Sequence, residues 1–211
     1  MQERELVWHP ESVEPEGLRA LRDLQEILIS SHFYLAGGTG LALRAGHRRS
    51  LDLDFFSPAD FNEDTLIEKV QDLSGFSLVS KAPGTLHAHI RGIKVSFLAF
   101  RYPLLFPSTV FLDVEVADPR DIACMKVSAI AGRGTKRDFI DLYVVSQEYG
   151  LPQILEWFNT KFGAANYSRV HVLKSLTYFD DAEKDPPPDM LKPILWPEVR
   201  EFFRKLAPRL M

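Results

Sequence analysis

The hydrophobic pattern at the start of the chain changes from a helical to a strand-like period. From Pro15 to Ser31, leucines recur at spacings of three and four residues, which predicts an amphipathic helix. The short apolar run from His32 to Ala36 predicts a strand that leads directly into a Gly-Gly-Thr sequence at residues 37–39. A short helix is predicted from Gly40 to Gly46, so we expect the Gly-Gly-Thr sequence to form a turn between a strand and a helix.

Apolar and polar residues then alternate within the segment from Arg48 to Ser57. The apolar positions are Leu51, Leu53 and Phe55, and the polar positions between them are Ser50, Asp52 and Asp54. A period of two predicts a strand with one apolar and one polar face. Further predicted elements are a helix at 62–73, strands at 76–80, 86–90 and 93–100 with a hairpin at Arg91-Gly92, and a final strand at 110–116.

After Pro119 the pattern is helical to the end of the chain. Helices are predicted at 121–131, 136–149, 152–162, 168–179 and 197–206, with a run of three prolines at 186–188 interrupting them. We therefore predict an α/β (α+β) protein in which a mixed sheet flanked by helices, residues 1–118, is followed by a helical region, residues 119–211, that packs on it.

The composition limits the function classes. A chain of 211 residues with 45% hydrophobic and 26% charged residues is typical of a globular domain. The net charge of −4 argues against a general nucleic-acid binder, although a local basic patch remains open. The single cysteine, Cys124, excludes an internal disulfide and favours a buried apolar role. No apolar stretch is long enough for a signal peptide or a membrane span, so we expect a cytoplasmic protein with no membrane partner.

The turn Gly37-Gly38-Thr39 is a candidate phosphate site. Glycine allows close approach of the backbone to a ligand, and the start of the following helix offers free N–H groups and a positive dipole end. The Thr39 hydroxyl can add a further donor. A Gly-Gly turn with a purely structural role is the alternative.

Asp52 and Asp54 are candidate metal ligands. On a strand, residues two apart share a face, so both carboxylates can reach one divalent cation. Carboxylate oxygens suit Mg²⁺ or Mn²⁺, and Mg²⁺ also accepts substrate phosphates as ligands. The alternative is a solvated strand face. With 15 residues from Gly37 to Asp52, a phosphate turn and a metal site can lie together.

A second group of charges lies in the helical region. Asp138 and Asp141 are three residues apart on one predicted helix face. Lys126 is a cation in an otherwise apolar helix, so it should meet an acid or a phosphate. One interpretation is that Lys126 neutralises triphosphate charge while Asp138 or Asp141 orients it or acts as a base. The other is an interhelical Lys–Asp pair that only joins the helices.

The segment YLAGGTGLALRAGHRRSLDLDFF at residues 34–56 resembles the AbiEii/AbiGii toxin family within the DNA polymerase β-type nucleotidyltransferase superfamily. The later sequence adds to this resemblance, because that family has an Asp…Lys helix motif, matched by Asp121 and Lys126, and a (Lys/Arg)-Asp-x-x-Asp-Leu motif, matched at residues 137–142. The resemblance implies a nucleotidyltransferase-type fold and transfer of a nucleoside monophosphate from a nucleoside triphosphate to an RNA, such as a tRNA, or to a protein. It also implies the toxin of a toxin–antitoxin or abortive-infection system, with an antitoxin as a partner.

The candidate site residues follow from both arguments together. The catalytic candidates are Asp52, Asp54, Lys126, Asp138 and Asp141, with Asp52 and Asp54 as metal ligands. The nucleotide-binding candidates are Gly37, Gly38, Thr39, Arg49 and Lys126. Arg49 belongs to a basic run with Arg44, His47 and Arg48, for which a solvated loop is an equally good interpretation.

One position departs from the superfamily. Those enzymes typically carry a third carboxylate on a later strand, where this chain has Ser96, with Asp113 or Glu115 as substitutes if the strand order differs. Without a third acid, a nucleotide-binding or sensing protein without catalysis is the alternative function, and an α/β domain with structural ion pairs is a third. His87 and His89 share a strand face, but no third metal ligand is spaced near them.

Overall fold

The computed structural model describes residues 6–165 and 167–210. The helices are α1 (Pro15–Ser30), α2 (Gly37–Ala45), α3 (Glu63–Val70), α4 (Pro119–Arg133), α5 (Lys136–Tyr149), α6 (Leu151–Phe162), α7 (Arg169–Ser175), α8 (Asp180–Lys184) and α9 (Trp196–Leu206). The strands are β1 (Tyr34–Leu35), β2 (Leu53–Ser57), β3 (Ser77–Ala82), β4 (Thr85–Ile90), β5 (Ile93–Ala99), β6 (Thr109–Phe111) and β7 (Val114–Val116). Short 3₁₀ turns lie at Pro10–Ser12, Gly163–Ala165 and Ala207–Leu210.

The described strands form one mixed sheet in the order β3-β4-β5-β2-β1-β7-β6. The pairs β2/β5 and β1/β7 are parallel, and the other neighbours are antiparallel. The mixed α+β architecture predicted from the hydrophobic pattern is therefore confirmed.

One face of the sheet is covered by the helices of the first half of the chain. The leucines of α1 predicted to face the core do so, since Leu21, Leu24 and Leu28 are buried. They pack with α3 against the inward side chains of the central strands, among them Leu53 and Phe97. Each such side chain contributes about 1.5–3 kcal/mol when it is fully buried, so this layer fixes which face of each strand points inward.

The opposite face is covered over only part of its width. The helices of the second half form a core with residues near β1 and α2, for example Tyr34 and Leu41 with Ile122 and Val127. The helical region thus packs on the sheet, and the division at residue 118 stays a prediction. On β2, β5 and β4 the side chains that face away from the α1 layer include the polar Asp54, Lys94, Ser96, His87 and His89.

Two predicted elements differ from the structure. The strand predicted at 110–116 is a hairpin of β6 and β7, because Leu112 and Asp113 turn the chain with positive φ. The strand predicted from Arg48 is β2 from Leu53 onward only. The residues before it pair elsewhere: the Ser50 N–H donates to the Ser12 carbonyl (2.9 Å), and the Arg49 N–H donates to the Asp189 carbonyl (2.8 Å).

Two smaller differences concern helix ends, and one predicted turn is confirmed. α2 begins at Gly37 itself, so the Gly-Gly-Thr sequence is the first turn of the helix rather than a separate turn. The helix predicted at 168–179 ends at Ser175, and α8 follows as a separate short helix. The hairpin at Arg91-Gly92 is confirmed, with both residues at positive φ between β4 and β5.

None of the helices in residues 6–165 and 167–210 is long and apolar enough to cross a membrane.

Candidate active site

The first glycine of the Gly-Gly-Thr sequence lies against Asp54. Gly37 has φ +61°, a conformation that L side chains rarely adopt, and a Cβ added there would lie 2.9 Å from Asp54 Oδ2. The backbone is held next to β2 because the Ala36 N–H donates to the Asp54 carbonyl (3.1 Å). The start of α2 therefore lies against Asp54. The 15-residue spacing from Gly37 to Asp52 in the sequence predicts that these two parts of the chain lie together.

The second glycine lies against a cation. A Cβ on Gly38 would collide with the guanidinium of Arg48 and would lie 3.1 Å from Ser50 Oγ. Because the first N–H groups of any helix have no partner within the helix, α2 presents donors between Asp54 on one side and Arg48 on the other. This arrangement suits an anion such as a phosphate group.

Thr39 has a role within the protein. Its buried hydroxyl donates to the backbone carbonyl of Asp52. This hydrogen bond fixes the residue that precedes β2 to the first turn of α2, so Thr39 positions Asp52 in this structure. The predicted donation to a phosphate stays a prediction.

Asp52 and Asp54 are half-buried and point to the same side of the sheet, opposite the buried Leu53 and Phe55. Burial raises the pKa of the Asp54 carboxyl above its ordinary value; a hydrogen bond from Ser96 lowers it and the charge of Asp52 raises it. Lys126 and Lys94 act on it as more distant positive charges. Across residues 6–165 and 167–210, neither acid has an ion-pair partner within 4.0 Å, and no group of three His, Cys, Asp or Glu side chains is arranged to hold a metal.

These two carboxylates fit a divalent cation whose remaining ligands come from a substrate. One acid is made costly to ionise by burial beside another acid, and a cation between them would reverse that cost. Two carboxylates are the number that Mg²⁺ commonly takes from a protein when substrate phosphates and water complete its coordination.

The helical charges form a compact network around Asp141. Its carboxylate oxygens meet Arg48 Nε (2.7 Å) and Nη2 (2.9 Å), His47 Nε2 (2.8 Å) and Lys126 Nζ (2.8 Å). Lys126 Nζ also meets Asp138 Oδ1 (2.8 Å), so this lysine joins α4 to α5 through two acids. The alternative interpretation of an interhelical Lys–Asp pair is therefore correct as a description of the contacts.

Burial and charge separate the roles of the two acids. Asp141 is fully buried, and although burial by itself raises its pKa, the charges of Lys126 and Arg48 hold that pKa well below its usual range. An ionised carboxylate with both oxygens bonded is a poor base, so these contacts favour a positioning role for Asp141, and its predicted part in catalysis stays a prediction. Asp138 is the N3 residue of the capping box that starts α5, where Thr135 N donates to it (3.1 Å).

Lys126 is a cation of the helical region whose charge acts on Asp54. Burial lowers the pKa of its ammonium, but Asp141 and Asp138 together raise that pKa above the ordinary value. Its charge lowers the pKa of Asp54, which places it within electrostatic reach of the carboxylates of β2. The two groups of charges predicted from separate parts of the sequence thus meet at one place.

The basic run at residues 44–49 is divided among different tasks. Arg44 donates to Thr109 Oγ1 (2.7 Å) and lies over the ring of Trp8, whereas His47 and Arg48 bind Asp141. Arg49 is exposed, 3.5 Å from Asp189, and is the member of this run with a side chain open to a ligand.

An apolar cavity of about 460 Å³ lies at the opposite end of β1 from Gly37. It is lined mainly by apolar side chains, including Leu28, Phe33 and Leu104, and it contains none of the predicted site residues.

Cys124 is buried, and burial raises the pKa of its thiol to about 12, so it is not a nucleophile.

Comparisons with known proteins agree with this geometry. The family model of the AbiEii nucleotidyl transferase toxin of type IV toxin–antitoxin systems matches residues 19–114, which include the glycines and both acids of β2. An uncharacterized protein of Aquifex aeolicus is 37% identical over 196 residues, which cover 90% of this chain and 93% of the relative. The chain belongs to the AbiEii family of nucleotidyltransferase toxins. The resemblance found in the sequence is confirmed, and the protein is a nucleotidyltransferase.

Solved structures show the same fold at low sequence identity. MenT4, a nucleotidyltransferase toxin of Mycobacterium tuberculosis, has 18% identity and a TM-score of 0.57, and the match covers 92% of this chain and 86% of that one. JHP933 of Helicobacter pylori has 17% identity and a TM-score of 0.56, with 92% and 89% covered. At this identity, the two structures show that the AbiEii protein shares their fold.

The position expected for a third carboxylate is occupied by Ser96. Ser96 pairs in register with Asp54 on the parallel neighbour β5. Glu115 lies on β7, beyond β1, where Ser108 Oγ donates to it (3.1 Å), and Asp113 lies in the β6–β7 turn. Neither of these acids substitutes at Asp54.

Sequence reasoning missed Arg48 and His47 as partners of Asp141, and it missed the residue beyond Ser96. His87 Nδ1 lies 3.1 Å from Ser96 Oγ, so the polar row on the open face extends to β4. The predicted hairpin at Arg91-Gly92 could have revealed this contact, because a two-residue turn fixes the register that places His87 opposite Ser96.

Proposed function

We propose that this nucleotidyltransferase is metal-dependent and transfers a nucleoside monophosphate from a nucleoside triphosphate to an RNA acceptor, such as a tRNA. The observation that carries the proposal is the close approach of the first turn of α2 to Asp54: Gly37 would clash with Asp54 if it had a side chain. A phosphate binder and a metal-ligand pair are thereby adjacent.

Each group of the chain has a separate task. Asp52 and Asp54 would hold Mg²⁺ or Mn²⁺, which when bound would neutralise charge on the phosphate oxygens. The N–H groups at Gly37 and Gly38 would bind triphosphate oxygens at the positive end of α2. Lys126 would add a fixed positive charge from the helical side, held in place by Asp138 and Asp141.

The reaction consists of positioning and charge stabilisation. A hydroxyl of the acceptor attacks the α-phosphorus, a new P–O bond forms, and the bond to pyrophosphate breaks. Placing both reactants in one cleft lowers the entropic part of the barrier, since the reaction then proceeds within a single complex.

An RNA acceptor requires local positive charge, because the chain as a whole carries a net charge of −4. Three exposed cations support this requirement. Lys94 acts on Asp54 through its charge, Arg49 follows Arg48 in the chain, and Arg137 precedes Asp138. A protein acceptor is the competing outcome. Membership of a toxin–antitoxin family implies an antitoxin as the counterpart, and we propose that it counteracts this activity.

The experiment is incubation with each α-³²P-labelled nucleoside triphosphate, Mg²⁺ or Mn²⁺, and total cellular RNA. We expect label in RNA that is lost in the double variant Asp52→Ala/Asp54→Ala and on addition of EDTA. Asp180→Ala/Asp181→Ala removes two acids that are exposed on α8 and should retain full transfer. Label found in protein instead of RNA would show that the acceptor is a protein. Transfer that survives the Asp52→Ala/Asp54→Ala change would contradict the proposal.

A further inference from the structure

Three side chains form a row across the open face of the sheet. Asp54 on β2 pairs with Ser96 on β5, and Ser96 pairs with His87 on β4. Adjacent strands are about 4.8 Å apart, so His87 lies two strand spacings, about 10 Å, from Asp54 along the sheet. A substrate that binds at Asp54 and extends along this face, on the side away from α2, therefore reaches His87.

The Ser96 hydroxyl lies between Asp54 and His87 in this row. His87 Nδ1 lies 3.1 Å from Ser96 Oγ, and Ser96 is in register with Asp54 on its other side. A hydroxyl has one proton and an oxygen that can also accept, so a Ser96 that donates to Asp54 can accept from an N–H at His87 Nδ1. In that arrangement Nε2 of His87 keeps its lone pair.

The surroundings of His87 leave that nitrogen available. The side chain is half-buried on the open face, while Ser96 is buried beneath it. The facing charged groups are Asp54 on β2, Lys94 on β5 and His89 on the same strand; β3 contributes the uncharged Ser80 at this level. Among the described residues, the His87 ring has one hydrogen-bond partner, Ser96.

We propose that His87 is the general base for the acceptor, with Ser96 as its positioning residue; this inference rests on the proposed function. The acceptor O–H bond breaks and its proton passes to His87 Nε2. The electron pair left on oxygen forms the bond to the α-phosphorus, and the bond to pyrophosphate breaks with its pair leaving on pyrophosphate. The imidazolium then returns its proton to solvent.

The first test is the tautomer of His87, which does not depend on activity. In ¹⁵N spectra of the labelled full chain, neutral His87 should carry hydrogen on Nδ1, and Ser96→Ala should move the population toward the Nε2–H form. His87→Asn identifies the resonances. A wild-type His87 with hydrogen on Nε2 would overturn the proposal.

The second test is kinetic, with labelled nucleoside triphosphate and total cellular RNA. His87→Asn retains a donor near Ser96 but has no base, so kcat should fall about 10²-fold while KM for the nucleotide changes less than about twofold. His89→Asn is the matched control from the same strand face and should retain wild-type kcat. In a Ser96→Asp background, a carboxylate beside Asp54 can accept the proton, so adding His87→Asn should cost less than tenfold.

The outcomes separate the two proposals. Full transfer by His87→Asn together with loss of transfer in Asp54→Asn would overturn the base assignment alone. Absence of transfer by the wild-type chain with any nucleotide would contradict the proposed function, and the base assignment would fail with it.

Discussion

The two pairs of aspartates proposed for the site, Asp52 with Asp54 and Asp138 with Asp141, lie in opposite electrostatic environments. Asp52 and Asp54 lie on the open face of the sheet and have no ion-pair partner among residues 6–165 and 167–210, and the pKa of Asp54 is raised by burial and by Asp52. Asp141, with Asp138 one helical turn before it, is bonded to Lys126, Arg48 and His47, and its pKa is held well below the usual range.

The difference shows that partners, rather than burial alone, decide what a buried acid does. Both Asp54 and Asp141 lose hydration, which by itself disfavours their ionised forms. Only Asp141 regains the loss from fixed cations, so it stabilises the fold. The raised pKa of Asp54 shows that the cost of ionising it is not fully compensated, and a cation bound with its nucleotide can compensate that cost.

The largest expected effect in this comparison is on folding. Asp141→Asn leaves Arg48 and Lys126 with a missing charge partner, so the free energy of unfolding should fall by about 3–5 kcal/mol. Urea denaturation measures the loss. Asp138→Asn is the matched change on the more exposed acid and should cost about 1–2 kcal/mol. Equal losses for the two variants would contradict the central role of Asp141.

The next largest effect concerns the glycine that touches the open pair. Gly37→Ala forces a side chain into positive φ and against Asp54, which should cost about 2 kcal/mol of stability and most of the transfer activity. Gly132→Ala lies in α4 with open space around its Cβ position and should be neutral or stabilising by up to about 1 kcal/mol. Thermal unfolding and the labelling assay measure both variants, and an active, stable Gly37→Ala would sink the idea of a close contact.

The smallest effect has the opposite sign. Measured with EDTA present, Asp54→Asn should raise the free energy of unfolding near neutral pH by about 1 kcal/mol, because it removes an uncompensated charge. Assayed with Mg²⁺, the same variant should lose transfer. The folded protein holds a proton on Asp54 more tightly than the unfolded chain does, whose ordinary pKa is 3.8. The contribution of Asp54 to stability is therefore present below that value and lost as pH rises through the folded pKa, so the advantage of Asn should disappear in acid.

The contribution of Asp141 has the reverse pH dependence. Its folded pKa is depressed, so its stabilisation is full above the ordinary value of 3.8 and is lost as pH falls toward the folded pKa. Unfolding curves over this range for the two Asn variants should therefore diverge from the wild type in opposite directions. Parallel curves would show that the two acids are in similar environments after all.

Much of the fold and part of the site could be predicted from local patterns. The leucines of α1 and the alternation through Leu53 to Phe55 identified buried faces, because helix and strand periods repeat over a few residues. The motif residues at 37–54 also identified the family correctly. The β6–β7 hairpin was missed because its turn residues, Leu112 and Asp113, adopt positive φ without a glycine to signal it.

What the sequence by itself determined is the set of reactive groups: two acids two residues apart, a glycine pair upstream and a lysine in an apolar helix. Only the tertiary structure decided which of these groups have hydrogen-bond or ion-pair partners within the protein. Asp141 meets Arg48, 93 positions earlier in the chain, and Ser96 connects Asp54 to His87 across three strands. The charge state of an acid depends on every neighbour within a few ångströms, and those neighbours are brought together only when helices and strands from distant parts of the chain pack.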